Sequence, residues 1–299
     1  MVKNIPESQD YIKTGRELLD ISWGMIKDLL ETYNESEFYG FDKEEISDKY
    51  WSLSTRRLNS ALAITQQGIE FLLKGKICEI SPYLLISEPP SNWPSTQKND
   101  LDFSQFRTID AQDLVKVHDT FSTDPLDPRF TTMFNKFREL RNAIMHSIGG
   151  NIKISHIDII DSQIAMHKLL FPNDSWVKIR IEALKNSPDT TLGSDWYIND
   201  IVNNELALII DLLPPQKVYE YFKIDKKSRP YYCPDCYSEN DTKEFAPKLA
   251  RLISKKPDCN AIYCPVCEAE YEIARKDCTE DCPGNVISEL YGICLTCGD

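Results

Sequence analysis

Eight of the ten cysteines in the chain fall into four close pairs: Cys233-Pro-Asp-Cys236, Cys264-Pro-Val-Cys267, Cys278-x3-Cys282 and Cys294-Leu-Thr-Cys297. Two residues between thiolates let a tight turn present both sulfurs to one tetrahedral ion at about 2.3 Å, the bond length of zinc to cysteine. The first two pairs are separated by 27 residues and the last two by 11. This spacing predicts two four-cysteine sites. Consecutive pairing gives Cys233/Cys236/Cys264/Cys267 and Cys278/Cys282/Cys294/Cys297; an interleaved arrangement satisfies the same spacing. Four thiolates leave zinc no open position, so two structural Zn2+ ions are expected, supporting folding rather than catalysis. Cys259 is left over and could replace a ligand. Cys78 reads as a small buried apolar residue on a helix. Tyr231, Tyr232, Tyr263 and Tyr271 flank the pairs; they could stack on bases, but a small domain needs them first as core.

A second group lies on a predicted helix that starts at Pro128, with Asp127 placed to cap it and Gly149-Gly150 to end it. At 100° per residue, Phe130, Met133, Phe134, Phe137, Leu140 and Ile144 form an apolar stripe, and Arg141 falls inside it. An arginine facing a core or interface is unfavourable unless paired. Asn142 and His146 are four apart and share a face. Arg141 and His146 are five apart, about 140° on an ideal helix, so they do not converge on one straight helix. Convergence needs either loosening of the chain over residues 147–150 or a second copy of the helix. The plain alternative is that Arg141 pairs with a buried acid such as Glu70 and His146 meets the carbonyls of a helix end. Glu70 reads equally well as an exposed helix glutamate. His118, His156 and His167 carry no motif and read as surface or satisfied core residues.

These groups need a scaffold. Apolar residues recur at helical spacing over 11–33 and 51–80, the latter stopped by Pro82. Pro89, Pro90 and Pro94 mark a loop, and a short helix over 110–120 has Asp110 as N-cap. Further helical patterns follow near 157–171, 174–186, 199–213 and 215–224. Strand signals are scarce, which predicts a mainly α chain: a helical bundle, then a small cysteine-rich zinc-binding domain with short β-hairpins. Composition changes near residues 226–230, which divides a helical domain at 1–228 from a zinc-ribbon-like domain at 229–299.

With 34 basic and 47 acidic side chains, the net charge is −13. That opposes non-specific adhesion to nucleic acid, so any such chemistry must use a local site. The clusters Lys223/Lys226/Lys227/Arg229 and Lys248/Arg251/Lys255/Lys256 read first as solvated faces and second as backbone guides. No apolar run reaches the ~20 residues of a membrane span, so no membrane partner is expected. The N-terminal residues lack a secretory pattern, and a cytoplasmic address with reduced cysteines follows.

The string Glu139-Leu-Arg-Asn-Ala-Ile-Met-His146, late in a helical bundle, resembles the motif of the HEPN superfamily: an Arg, often a polar residue next, then a His after four to six residues. Arg141, Asn142 and His146 match with four intervening residues, and the resemblance extends over roughly residues 9–171. It implies a homodimeric, metal-independent endoribonuclease whose motif helices face each other across a two-fold axis. Arg141, Asn142 and His146 are then the catalytic residues and RNA the partner, with no cofactor for catalysis. Many members are toxins or effectors of anti-phage defence, and others have lost catalysis and serve as scaffolds. The cysteine domain resembles generic zinc ribbons, which implies a role in recognising a substrate, a protein partner or a trigger.

Overall fold

The structure is a computed structural model, and it describes residues 1–93, 100–146, 154–188, 190, 198–240, 243 and 246–299. The expected stop at Gly149-Gly150, the loosening over 147–150 and Pro94 lie outside the described residues.

The chain divides into two compact units, Met1–Asp174 and Ser175–Asp299. The first is a helical bundle built on a long hairpin of α1 (Ser8–Glu35) and α2 (Lys43–Ile80). On α1, Leu19, Trp23, Ile26, Leu29 and Leu30 are buried. They meet Leu62, Ile69, Leu72 and Leu73 of α2 in the core. The helices approach closely where both lack a side chain. A Cβ on Gly15 would lie 2.9 Å from the carbonyl oxygen of Gly68, and one on Gly68 would lie 3.0 Å from that of Gly15. Two buried side chains bond backbone beside this crossing: Ser22 Oγ donates to the Ala61 carbonyl at 2.8 Å, and Gln163 Nε2 donates to that of Leu19 at 2.5 Å. The helix α2 starts earlier than its apolar periodicity, because Asp42 accepts from the amides of Glu44 and Glu45 at 2.8 and 3.2 Å and caps a charged first turn.

Against α2 pack α3 (Ala111–Phe121), α4 (Pro128–His146) and α5 (His156–Leu170). Asp127 Oδ1 accepts from the amide of Arg129 at 2.7 Å at the start of α4, as its position predicts. A minimal parallel pair, β1 (Val2–Lys3) and β2 (Leu101–Asp102), ties the N-terminus to the α2–α3 connection.

The second unit contains α6 (Trp176–Lys185), α7 (Ile198–Leu212), α8 (Pro215–Phe222) and α9 (Pro234–Glu239). It also holds an antiparallel sheet of β3 (Arg251–Leu252), β4 (Ala261–Cys264), β5 (Ala269–Ala274) and β6 (Ile287–Ser288), in that order. The hairpin β4–β5 carries the expected short β structure. A buried ion pair joins α6 to α7, Arg180 Nη2 donating to Glu205 Oε1 at 2.9 Å.

The unit boundary departs from the division at residue 228. Composition registers where the cysteine pairs begin, whereas residues 175–228 are tied to the cysteine segment by polar contacts. Ser175 and Lys178 both engage Glu268, Asn199 donates to Glu239 at 3.0 Å, and Lys255 pairs with Asp225 at 3.0 Å. None of the described helices is long and apolar enough to cross a membrane.

Candidate functional site

The eight paired cysteines assemble into two clusters by consecutive pairing: Cys233/Cys236/Cys264/Cys267 and Cys278/Cys282/Cys294/Cys297. In the first, sulfurs stand 3.7 Å apart for Cys233–Cys267, 3.4 Å for Cys236–Cys267 and 3.9 Å for Cys236–Cys264. In the second, Cys278–Cys297 and Cys282–Cys294 are 3.8 and 3.9 Å apart. Four sulfurs at about 2.3 Å from a tetrahedral ion lie about 3.8 Å from one another, so both donor sets fit a metal ion.

Hydrogen bonds from Cys233 and its neighbours hold the Cys267 thiol far below its ordinary value, and the same contacts push Cys236 and Cys264 up. In the second cluster burial raises Cys294, but amide donors from Cys297 and Thr296 outweigh it and bring the thiol to about 7. Burial and the neighbouring thiols raise Cys297 to about 12. A bound divalent cation would favour the thiolate form of every ligand in such a set.

The local chain is shaped to make these clusters. A Cβ on Gly284 would lie 2.7 Å from Cys294 Sγ, and the Gly284 amide donates to Cys282 Sγ at 3.3 Å. Asp235, inside the first cysteine pair, accepts from Tyr271 Oη at 2.8 Å and Tyr291 Oη at 3.0 Å. Tyr231 is buried and Tyr232 packs on Tyr237 with centroids 4.3 Å apart. The core reading of the flanking tyrosines therefore describes Tyr231, Tyr232 and Tyr271. Cys259 belongs to neither cluster; its Sγ contacts the Ala261 carbonyl at 3.3 Å. Cys78 is buried, as expected, its thiol pushed up by burial.

In the first unit, Arg141 and Asn142 line a cleft of about 400 Å³ with Arg138, the α2 residues Gln66, Gln67, Glu70 and Lys74, and residues 108–112 at the start of α3. Arg141 Nη1 donates to Asn142 Oδ1 at 3.1 Å. Glu70 is neither its partner nor an exposed glutamate: it is largely buried and pairs with Lys74 at 2.8 Å. Among the described residues no carboxylate pairs with Arg141. The apolar stripe of α4 is also shorter than its periodicity. Phe130, Phe134 and Phe137 are buried, whereas Met133, Leu140 and Ile144 are half-buried and Met145 is 62% exposed. Covering stops after Phe137.

His146 is exposed at the end of a helix assigned as α through that residue, and it does not line the cleft. Within one chain, then, Arg141 and Asn142 come together and His146 stands apart. The other histidines are structural, in keeping with their lack of a motif. His118 is buried and bonds Asp119 at 2.9 Å, and His156 stacks on Trp51 at 3.8 Å with burial lowering it to about 4. His167 is buried and lowered by burial to about 3.

Sequence reading missed Gln66, Lys74 and Arg138. The signal was present in their spacing: Gln66, Glu70 and Lys74 step by four along α2, and Arg138, Arg141 and Asn142 share one face of α4. In the basic clusters of the second unit Lys223, Lys227, Arg229, Lys255 and Lys256 are exposed, and the other three are engaged within the fold. Lys226 donates to the carbonyls of Asp211 and Leu213 at 2.8 and 3.0 Å. Lys248 donates to that of Thr296 at 2.6 Å, and Arg251 is buried.

Comparisons of the chain with protein-family models, curated proteins and solved structures find no match.

Proposed function

We propose that this chain is a metal-independent endoribonuclease of HEPN type that acts as a homodimer, with two zinc ions stabilising its second unit. One observation supports the reading above the others: Arg141 and Asn142 line a polar cleft in which, among the described residues, no carboxylate pairs with Arg141, on the same helix that ends in an exposed His146. A half-buried guanidinium without an acid is a phosphate-binding group in need of a ligand.

The chemistry follows from the side chains. In RNA the 2′-hydroxyl attacks the adjacent phosphorus, the bond to the 5′-oxygen breaks, and the products are a 2′,3′-cyclic phosphate and a 5′-hydroxyl. An imidazole near neutral pH removes the attacking proton or supplies one to the leaving oxygen. The Arg141 guanidinium holds two phosphate oxygens as charge develops, and Asn142, its hydrogen-bond partner, orients it. DNA lacks the nucleophile and is not cut. A second copy of α4 is what brings an imidazole to this cleft, and the exposed Met145 beside His146 is apolar surface suited to such a contact. The cysteine clusters take Zn2+ because four thiolates and no open position match its structural sites.

The separation of His146 from the cleft favours a second reading, a non-cleaving HEPN-like module that binds RNA or nucleotide through Arg141. Digestion of single-stranded RNA by wild type, Arg141→Ala and His146→Ala during brief exposure to EDTA separates the two. The nuclease reading expects cleavage by wild type alone, with cyclic phosphate ends. Cleavage that needs added Mg2+, or full activity in both variants, rules it out; RNA binding without cleavage selects the module.

A further inference from the structure

The cleft holds more positive charge than a single phosphate requires. Arg138 lies three residues before Arg141 on the same face of α4, with Cβ atoms about 5–6 Å apart on an ideal helix. Among the described residues neither guanidinium has a carboxylate partner, although acids outnumber bases 47 to 34 in the chain. The acids of the cleft are already engaged, Glu70 with Lys74 at 2.8 Å and Asp110 with Arg107 at 3.2 Å. Asp110 therefore forms no side-chain cap on α3, and the first-turn amides there have no side-chain acceptor. In the wall of the cleft Gln66 is 3% exposed, and among the described residues neither its Nε2 nor its Oε1 has a hydrogen-bond partner; Arg138 Nε has none either. Buried polar groups left unpaired are rare in folded proteins and mark a site with a missing polar occupant.

We propose that Arg138 and the start of α3 form a second phosphate subsite, holding the backbone phosphate next to the one bound by Arg141. The chain then grips single-stranded RNA at two successive phosphates. Lys74 is held in reserve by Glu70, which sets the cleft's net charge. The identity of the polymer rests on the nuclease reading; the subsite itself does not require cleavage.

The test uses the full chain and a fluorescent 2′-O-methyl oligoribonucleotide, which carries the phosphates and cannot be cleaved. Binding is followed by fluorescence anisotropy across a salt series. Arg138→Gln is expected to weaken binding about tenfold, as for loss of a charge-assisted hydrogen bond. It is also expected to reduce the slope of log affinity against log salt by about 0.7, the loss of one phosphate contact on a single strand. Glu70→Gln releases Lys74 and is expected to tighten binding, which carries the test independently where Arg138→Gln does not fold. Unchanged affinity and slope in folded Arg138→Gln, or no tightening in Glu70→Gln, overturns the subsite. A wild-type chain that shows these dependences but cuts no RNA overturns the nuclease reading alone.

Discussion

Acid should weaken the bundle through His167, and the size of the effect can be worked from its surroundings. This imidazole is 1% exposed between α5 and its neighbours, and burial lowers its pKa from 6.5 to about 3. The unfolded chain therefore binds a proton between these values that the folded chain does not. Stability then rises with pH in that window and is lost as pH falls below 6.5. For that single group the loss relative to neutral pH is about 1.4 kcal/mol at pH 5.5 and about 2.7 kcal/mol at pH 4.5. His156, lowered to about 4 by burial, acts in the same direction. The assay is urea unfolding by far-ultraviolet circular dichroism at pH 7.5, 5.5 and 4.5, for wild type and His167→Gln. The cysteine clusters titrate in both proteins, so the difference between them isolates this imidazole. The wild-type penalty relative to the variant should grow by about 2–3 kcal/mol between pH 7.5 and 4.5. A difference that stays constant across the three pH values refutes the argument.

Other consequences are equally direct. Gly68→Ala places a methyl 2.9 Å from Leu19 Cδ2 and 3.0 Å from the Gly15 carbonyl, and should lower stability by about 1–3 kcal/mol in the same urea assay. Metal analysis of the purified chain should find two zinc ions, one after Cys264→Ser and still two after Cys259→Ser, since Cys259 stands outside both clusters. Replacing Arg180 by Met alone breaks the buried ion pair and leaves the Glu205 carboxylate in the interior, at a cost of about 3–5 kcal/mol. Adding Glu205→Leu should recover most of that stability, and a double variant no more stable than the single one contradicts this account of the pair.

Much of the fold was legible because the bundle helices carry apolar residues at helical spacing. The predicted helices over 11–33, 51–80, 110–120 and 157–171 all lie on observed ones. The first two turns of α2 were missed because they are charged and exposed; their signal was the cap at Asp42, not periodicity. The cysteine clusters were legible because sulfur geometry is local, and the Tyr231–Ala250 bridge with the β3–β4 pairing brings the second pair to the first. Arg141 was visible as an arginine inside an apolar stripe, but its surroundings were not. Spacing along α4 cannot reveal that α2 offers Gln66, Glu70 and Lys74 opposite, or that Glu70 is already taken by Lys74. The relation of Arg141 to His146 was legible as a geometric conflict, and the helical assignment of α4 through residue 146 keeps it.

That conflict makes the association state decisive for the proposed nuclease, in which a second copy brings the imidazole to the Arg141 cleft. Light scattering of the eluting protein, with specific RNA cleavage measured at each concentration, addresses it in one experiment. The expected result is a mass of about 69 kDa, twice the 34.5 kDa chain, with cleavage per chain falling as dilution splits the pair. A 34.5 kDa species that cleaves at an undiminished rate per chain contradicts it.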